Sequence, residues 1–317
     1  MQAYLEFEKP VADLEGKVRE LRNLGGGDSK VNVDEEVARL ETKANQALAD
    51  LYKKLDPWQK MQVARHPDRP HYKDFIKAMI DDYRPLSGDR NFADDHAIQT
   101  GLGRFRGQPV ALIGHEKGND TQSRLHHNFG MARPEGYRKA VRIMDLAERY
   151  SMPVITLVDT SGAYPGIGAE ERGQAEAIAR STEKCLNLKV PMISVIIGEG
   201  GSGGAIAIAV ANRVYMLEHA IYSVISPEGA ASILWRDSTR AKEAASSMKI
   251  TAQDLQQFGI IDEIIPEPLG GAHRNAEAVM TSAENTISAA LDELMTKSPE
   301  DLMRERREKF MAIGRNL

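Results

Sequence analysis

GEGGSGGAIAIAVANRV, residues Gly198 to Val214, places five glycines in seven positions and then becomes a run of alanine and isoleucine. Glycine loses more backbone freedom on folding than any other residue. Such crowding must serve something that only a bare Cα allows. The residues just before it, PMISVIIG (191–198), are apolar without alternation, as in a strand buried on both faces. The residues AIAIAVAN (205–212) suit a short buried helix. The stretch is therefore read as a buried strand, a glycine turn and a helix.

Working outward, the same grammar repeats. PVALIGHEK (109–117) and PVITLVDT (153–160) are apolar strands, PEGYRKAVRIMDLAERY (134–150) is an amphipathic helix opened by proline, and AEERGQAEAIARSTEKCLNL (169–188) is another helix. RVYMLE (213–218) and AIYSVIS (220–226) read as further strands. Unbroken apolar strands separated by helices predict an α/β fold with a mostly parallel sheet covered on both faces.

The flanks are helical. Val11, Leu14, Val18 and Leu21 form one apolar stripe, stopped by Gly25–Gly27. A second helix begins at Asn32, a capping residue with Glu35 three positions on. Its apolar positions Val33, Val37, Leu40, Ala44, Leu48, Leu51 and Leu55 form a narrow stripe, suited to a helical hairpin, a partner subunit or the chain's own body. Residues 58–85, with ARHPDRPHY, are expected to be an irregular connection with a short helix near Phe75–Ile80. At the other end, Asn275 caps a helix, and Ser298-Pro299 with Asp301 opens the last one. This divides the chain into a helical arm and connection (1–85) and an α/β domain with C-terminal helices (86–317).

Composition narrows the function classes. The chain has 317 residues, 42% of them hydrophobic and 27% charged, with a formal net charge of -5. That balance does not suit nucleic acid or an anionic membrane as the main partner. Cys185 is the single cysteine, which excludes an internal disulfide and a cysteine-built zinc site in this chain. The acidic start MQAYLEFEKP lacks the pattern of a signal peptide, and no apolar run nears the ~20 residues of a membrane span. The expected compartment is the cytoplasm.

Three chemistries fit the glycine stretch. Gly198, Gly200 and Gly203 match G-x-G-x-x-G after a strand, with Glu218 placed for a dinucleotide ribose. Gly200-Gly201-Ser202-Gly203-Gly204 matches G-x-S-x-G, with Asp262 and His273 following in the order of an α/β-hydrolase. In the third reading, backbone N–H groups at a helix N-terminus face a developing negative charge. A second turn, Gly162-Ala163 in SGAYPGIGAEERGQ, leaves another buried strand and could bring a second set of donors to one oxygen.

NFGMARPEGYRKAVRIMDLAE, LVDTSGAYPGIGAEERGQ, GEGGSGGAIAIAVANRVYMLEHAIYSVISPEGAASILW and IIPEPLGGAHRN occur in that order. Together they closely resemble the carboxyltransferase α-subunit family of bacterial acetyl-CoA carboxylase, as does the ARHPDRP segment of the arm. The resemblance implies a crotonase-like core of repeated β-β-α units, with the family domain at about residues 32–296. It implies paired backbone donors at Gly162, Ala163, Gly203 and Gly204 that stabilise enolate-type intermediates. Gly200, Gly201, Ser202 and Arg172 would contact substrate. The implied reaction moves the carboxyl group of carboxybiotin, held on a biotin carrier protein, to acetyl-CoA, giving malonyl-CoA for fatty acid synthesis. The implied assembly is α2β2, with the zinc site in the β subunit and ATP consumed by a separate biotin carboxylase component. A crotonase-type hydratase, or a serine hydrolase using Ser202, is the alternative.

Other residues carry weaker expectations. The adjacent pair His126-His127 points in two directions and makes a poor metal site. Arg138 and Arg142 share one helix face, as solvated residues or as contacts to an anion. Arg172 is placed either for a carboxylated ligand or for a salt bridge to Glu170 or Glu176. His273 and Arg274 order a loop, Cys185 is a buried apolar residue, and Trp58 and Trp235 are packing anchors.

Overall fold

In the computed structural model, which describes residues 3–25 and 33–315, the chain opens with helix α1 (Lys9–Gly25), packed against α2 (Val33–Tyr52) as a hairpin. Gly26, Gly27 and the Asn32 cap lie outside the described residues. The α2 stripe is covered by the chain itself, since Leu48 and Tyr52 pack with Val11 and Val63. Glu8 is wholly buried and accepts hydrogen bonds from Leu5 N–H (2.8 Å) and Tyr52 Oη (2.9 Å), which fastens the arm's start.

Residues 58–85 are ordered rather than irregular. Asp56 accepts from Gln59 N–H at 2.8 Å and Pro57 sits at the first position of α3 (Pro57–Ala64), so this pair opens a helix. Helix α4 (Tyr72–Met79) runs directly into strand β1 (Ile80–Pro85). Prolines 67 and 70 mark the corner between the two helices, not a loop extending along the whole segment.

Strands β2 (Ile98–Phe105) and β3 (Gln108–His115) form an antiparallel hairpin, followed by α5 (Thr121–His126) and α6 (Pro134–Arg149). Strand β4 (Val154–Thr160) leads to two helices, α7 (Ile167–Glu171) and α8 (Gln174–Asn187), where the sequence suggests one. The break is Gly173, whose φ of 79° turns the chain into the left-handed region. Strand β5 (Met192–Gly201) is buried along its whole length and enters α9 (Ser202–Ala209) without a loop. Strands β6 (Arg213–Leu217) and β7 (Ile221–Ser223) follow, the second shorter than expected because Ser226 caps α10 (Pro227–Trp235). Helices α11 (Ala241–Ser247) and α12 (Ala252–Gln257), strand β8 (Glu263–Ile265), and helices α13 (Ala276–Leu294) and α14 (Pro299–Ala312) complete the chain. Asn275 and Ser298 accept from Ala278 N–H and Asp301 N–H and cap α13 and α14.

Among the described residues the sheet has eight strands in the order β1-β2-β3-β4-β5-β6-β8, with β7 also on β5. From β3 onward every pairing is parallel, matching the unbroken apolar strands. Strand β5 changes partner along its length: Ile193–Ile196 pair with β6, and Glu199–Gly201 pair with β7. β2–β3–α6 and β6–β7–α10 are strand–strand–helix units, and between them β4 and β5 each feed a helix. No helix of the described residues is long and apolar enough to cross a membrane.

Candidate functional site

Two turns leave the carboxyl ends of neighbouring strands and meet. The first, Ser161-Gly162-Ala163, follows β4; the second is the junction of β5 and α9. A Cβ on Gly204 would lie 2.7 Å from the carbonyl carbon of Gly162 and 2.8 Å from the nitrogen of Ala163. A Cβ on Gly201 would strike the carbonyl of Ser161. Both distances are closer than real Cβ atoms approach, so these glycines let one turn lie against the other. Gly203 differs: its Cβ would meet only Ile178 of α8, at an ordinary 3.5 Å. The Cβ of Gly200 would press on the Tyr222 ring at 2.8 Å, so this glycine admits β7 to the sheet.

The donors divide unequally. Gly162 N–H is already donated to Thr160 Oγ1 at 3.1 Å, and Thr160 Oγ1 donates to Gly162 O at 2.8 Å. Gly162 therefore shapes its turn through a φ of 145° rather than offering a donor. Among the described residues, Ala163 N–H has no intramolecular acceptor. Ser202, Gly203 and Gly204 form the first turn of α9, where N–H groups have no helical partner, and no side chain caps them. Ala163, Ser202 and Gly203 are half-buried, while Gly162 and Gly204 are buried.

Beneath the turns lies a network of charges. Asp159 of β4 faces Lys117 Nζ at 2.7 Å and His71 Nδ1 at 3.2 Å, and accepts Glu199 N–H at 3.0 Å. Lys117 also approaches Glu199 Oε2 at 3.3 Å, and Arg65 joins Glu199 Oε1 (2.5 Å) to Glu228 Oε1 (2.7 Å). Burial by itself would push the Asp159 and Glu199 carboxyls up, but Lys117 holds both below the usual carboxylate range, with His71 helping at Asp159 and Arg65 at Glu199. Burial would likewise lower the Lys117 ammonium, and the two carboxylates hold it above its ordinary value. A cavity of about 230 Å³ opens beside this network, lined by Arg65, His71, Lys117, Arg124, Phe129 and Ser161. A second buried pair supports the floor. Arg69 donates to Ile197 O at 2.7 Å and grips Glu267 at 2.6 and 3.0 Å.

Arg65, Arg69 and His71 come from the segment the sequence marks as irregular, and sequence reasoning passed over Lys117, Asp159 and Glu199. The available signal was small: acids at the ends of apolar strands, in VITLVDT and SVIIGEG, call for buried partners.

Other expectations are corrected. Among the described residues Arg172 pairs with neither Glu170 nor Glu176. Its guanidinium joins Glu135 at 2.6 Å and lies 4.6 Å over the Phe92 ring, because the break at Gly173 turns it toward α6. Arg138 donates to Arg172 O at 2.6 Å, and Arg142 donates to Gly88 O at 3.1 Å. The hydrolase triad is not assembled. Ser202 follows the carboxyl end of β5, whereas Asp262 accepts Val214 N–H at the amino end of β6 and pairs with Lys309. His273 stacks on His66 at 3.7 Å instead. Nor does the dinucleotide pattern form a phosphate loop, since Gly198 and Gly200 lie inside a buried strand. His127 bridges His96 O (2.6 Å) and Lys73 Nζ (2.8 Å), while His126 stacks on His96. Cys185 is buried and its thiol is pushed up to about 12 by that burial. Among the described residues no cluster of three His, Cys, Asp or Glu could hold a metal ion.

Comparison with known proteins agrees along the whole chain. The family model for acetyl co-enzyme A carboxylase carboxyltransferase-like proteins matches residues 4–314. The acetyl-coenzyme A carboxylase carboxyl transferase subunit alpha of Rhizobium rhizogenes is 67% identical over 317 residues, covering 100% of both chains. The protein of that name from Agrobacterium fabrum is 65% identical with the same coverage. Among solved structures, transcarboxylase 12S superposes with a TM-score of 0.59 at 21% identity, over 72% of this chain and 42% of that one. The β subunit of geranyl-CoA carboxylase from P. aeruginosa has a TM-score of 0.56 at 16% identity, over 76% of this chain and 43% of that one. At such identities the likeness concerns architecture, which is the crotonase-like α/β fold with an added helical arm and C-terminal helices. With a family model spanning the two turns and their charged floor, and relatives alike from end to end, this chain belongs to the acetyl co-enzyme A carboxylase carboxyltransferase-like family.

Proposed function

We propose that this chain is the α half of a biotin-dependent acetyl-CoA carboxyltransferase, in which paired turns stabilise charge on oxygen. The observation that carries the reading is the contact of Gly204 with Gly162 and Ala163, at a separation that leaves no room for a Cβ. On this reading Ala163 N–H and the first N–H groups of α9, at Gly203 and Gly204, face one small volume. In the overall reaction the carboxyl group leaves N1 of carboxybiotin and joins the methyl carbon of acetyl-CoA, whose proton passes to the released nitrogen. Charge gathers transiently on a carbonyl oxygen, and fixed amides need no reorganisation to meet it. Each such donor is worth about 3–4 kcal/mol by analogy with other oxyanion holes. Gly200 and Gly201 act through close packing, Ser202 borders the site, and Arg172 braces α6.

The chain needs a partner for this work. Ile206 on α9, Val224 before α10, and Ile233 and Leu234 on α10 are exposed apolar residues beside the turns. Ile206 and Val224 also line an apolar cavity of about 550 Å³, together with Val210, Tyr222, Phe258 and Phe310. This surface suits a β subunit in an α2β2 assembly, which would hold much of the CoA and carry the zinc site. A biotin carrier protein delivers the carboxyl group, and a biotin carboxylase component spends the ATP. The cytoplasm is the compartment where these meet. The arm (1–85) serves as support for the catalytic domain (86–317). Copurification with the β partner tests the reading: malonyl-CoA should form only with both chains. Malonyl-CoA formation at an undiminished rate by a folded Gly204→Val complex would overturn the donor assignment.

A further inference from the structure

The two turns emerge from strands that each carry a buried acid near the carboxyl end. Asp159 lies three residues before Gly162, and Glu199 lies three before Ser202. Lys117, in the segment just after β3, reaches both carboxylates with one ammonium. Arg65 at the end of α3 extends the chain of charges from Glu199 to Glu228 in the first turn of α10. One line of ion pairs thus joins the arm, the ends of β4 and β5, and α10. Five ionic groups held in or beside a core are not needed for folding as such, since apolar residues would pack there at lower desolvation cost. Their place, directly under the two turns, suggests what they are for.

We propose that Lys117 is a positioning residue for carboxyl transfer: bridging Asp159 and Glu199, it sets the separation of the turns bearing Ala163 N–H and Gly204 N–H. The inference rests on the oxyanion reading above and assigns the residue that tunes it. Lys117 touches no reacting atom. It acts through the two carboxylates, and Asp159 Oδ1 also accepts Glu199 N–H at 3.0 Å, which ties one strand end to the other. Without the ammonium, two buried carboxylates face each other across the same space and repel. The other charged or titratable groups around the pair are His71 from the corner before α4, His115 at the end of β3, and Arg65 and Glu228. His115 is buried and its ring is pushed down to about 3, so it stays neutral and cannot replace the lost cation.

The test uses the complex of this chain with its β partner and compares Lys117→Met with Lys117→Arg. At alkaline pH, Lys117→Met should lose kcat for malonyl-CoA formation by roughly 100-fold, the scale expected when a catalytic group is displaced by about an ångström. The KM for acetyl-CoA should stay within roughly twofold of the parent value. Activity of Lys117→Met should recover as pH falls, because a proton on one carboxylate removes the repulsion. The parent enzyme should lack this limb, and Lys117→Arg should keep most of the rate. If Lys117→Met does not fold, the double variant Lys117→Met/Glu199→Gln removes the repulsion at every pH and should fold with kcat restored toward the parent value and no low-pH limb; a double variant that folds but keeps the loss would also overturn the inference. Lys117→Met with kcat near the parent value, or a loss in the folded complex that does not change with pH, would overturn the inference. A parallel Gly204→Val complex separates the two ideas. If it is dead while Lys117→Met is normal, only the positioning role fails; if it is active, the oxyanion reading fails first.

Discussion

Gly203 and Gly204 are adjacent and chemically identical, and the structure gives them different work. A methyl group on Gly203 has an ordinary contact with Ile178, whereas one on Gly204 would enter the peptide between Gly162 and Ala163. Gly203→Ala should therefore keep the melting temperature and reduce transfer by less than about tenfold. Gly204→Ala should fold but reduce transfer by roughly 100-fold, since the two turns must part. Malonyl-CoA formation by both variants, with circular dichroism melts, checks this; equal losses would mean that close approach is not the determinant. Cys185 makes a second contrast. Its thiol is buried against Met144 and its ionisation is pushed up to about 12, so it should resist a thiol reagent at about pH 8 until the chain unfolds. Rapid labelling of the native protein would contradict that environment.

At the scale of elements, one buried guanidinium ties α14 to the end of α8. Arg306 is fully buried and donates to Cys185 O (2.6 Å), Leu188 O (2.8 Å) and Val190 O (3.1 Å) at the carboxyl end of α8, and to Asn212 Oδ1 (2.5 Å). It caps one helix from another, satisfying carbonyls that have no helical partner. Arg306→Leu should lower stability by about 3 kcal/mol or more, because the orphaned carbonyls stay buried. Denaturant melts would register it, and an unchanged midpoint would show that water replaces the guanidinium. The same scale explains which elements were legible. The buried strands β3, β4 and β5 and the caps Asn275 and Ser298 follow from local pattern. The break between α7 and α8 does not, because Gly173 sits in a run of good helix formers and turns only in company with Ala132 and Tyr164, whose carbonyls accept from Gln174.

Across the whole molecule, the charged floor predicts a response to acid. Burial would raise the Glu267 carboxyl, but Arg69 holds it down to about 2, below its ordinary 4.5. A carboxylate depressed in the folded state stabilises the fold above its unfolded pKa, and that contribution disappears as pH falls from about 4.5 toward 2. Asp159 and Glu199 act in the same direction. Stability should thus fall steeply over that window, and Glu267→Gln should be weaker at neutral pH with a shallower acid slope. Parallel slopes for parent and variant in urea melts would refute the assignment. The amino-acid order by itself determined the buried strand and the helix on either side of the glycine junction, the second turn at Gly162-Ala163 and the family likeness, because these depend on local periodicity, on backbone freedom and on long ordered motifs; that the strand runs straight into the helix was decided in three dimensions. It could not separate Gly203 from Gly204, free Ala163 N–H from Gly162 N–H, or recruit Arg65, Lys117, Asp159 and Glu199 into one network. Those decisions came only with the tertiary structure, since an amide is available or occupied, and a buried charge tolerable or not, according to neighbours that arrive from 40 to 134 positions away in the chain.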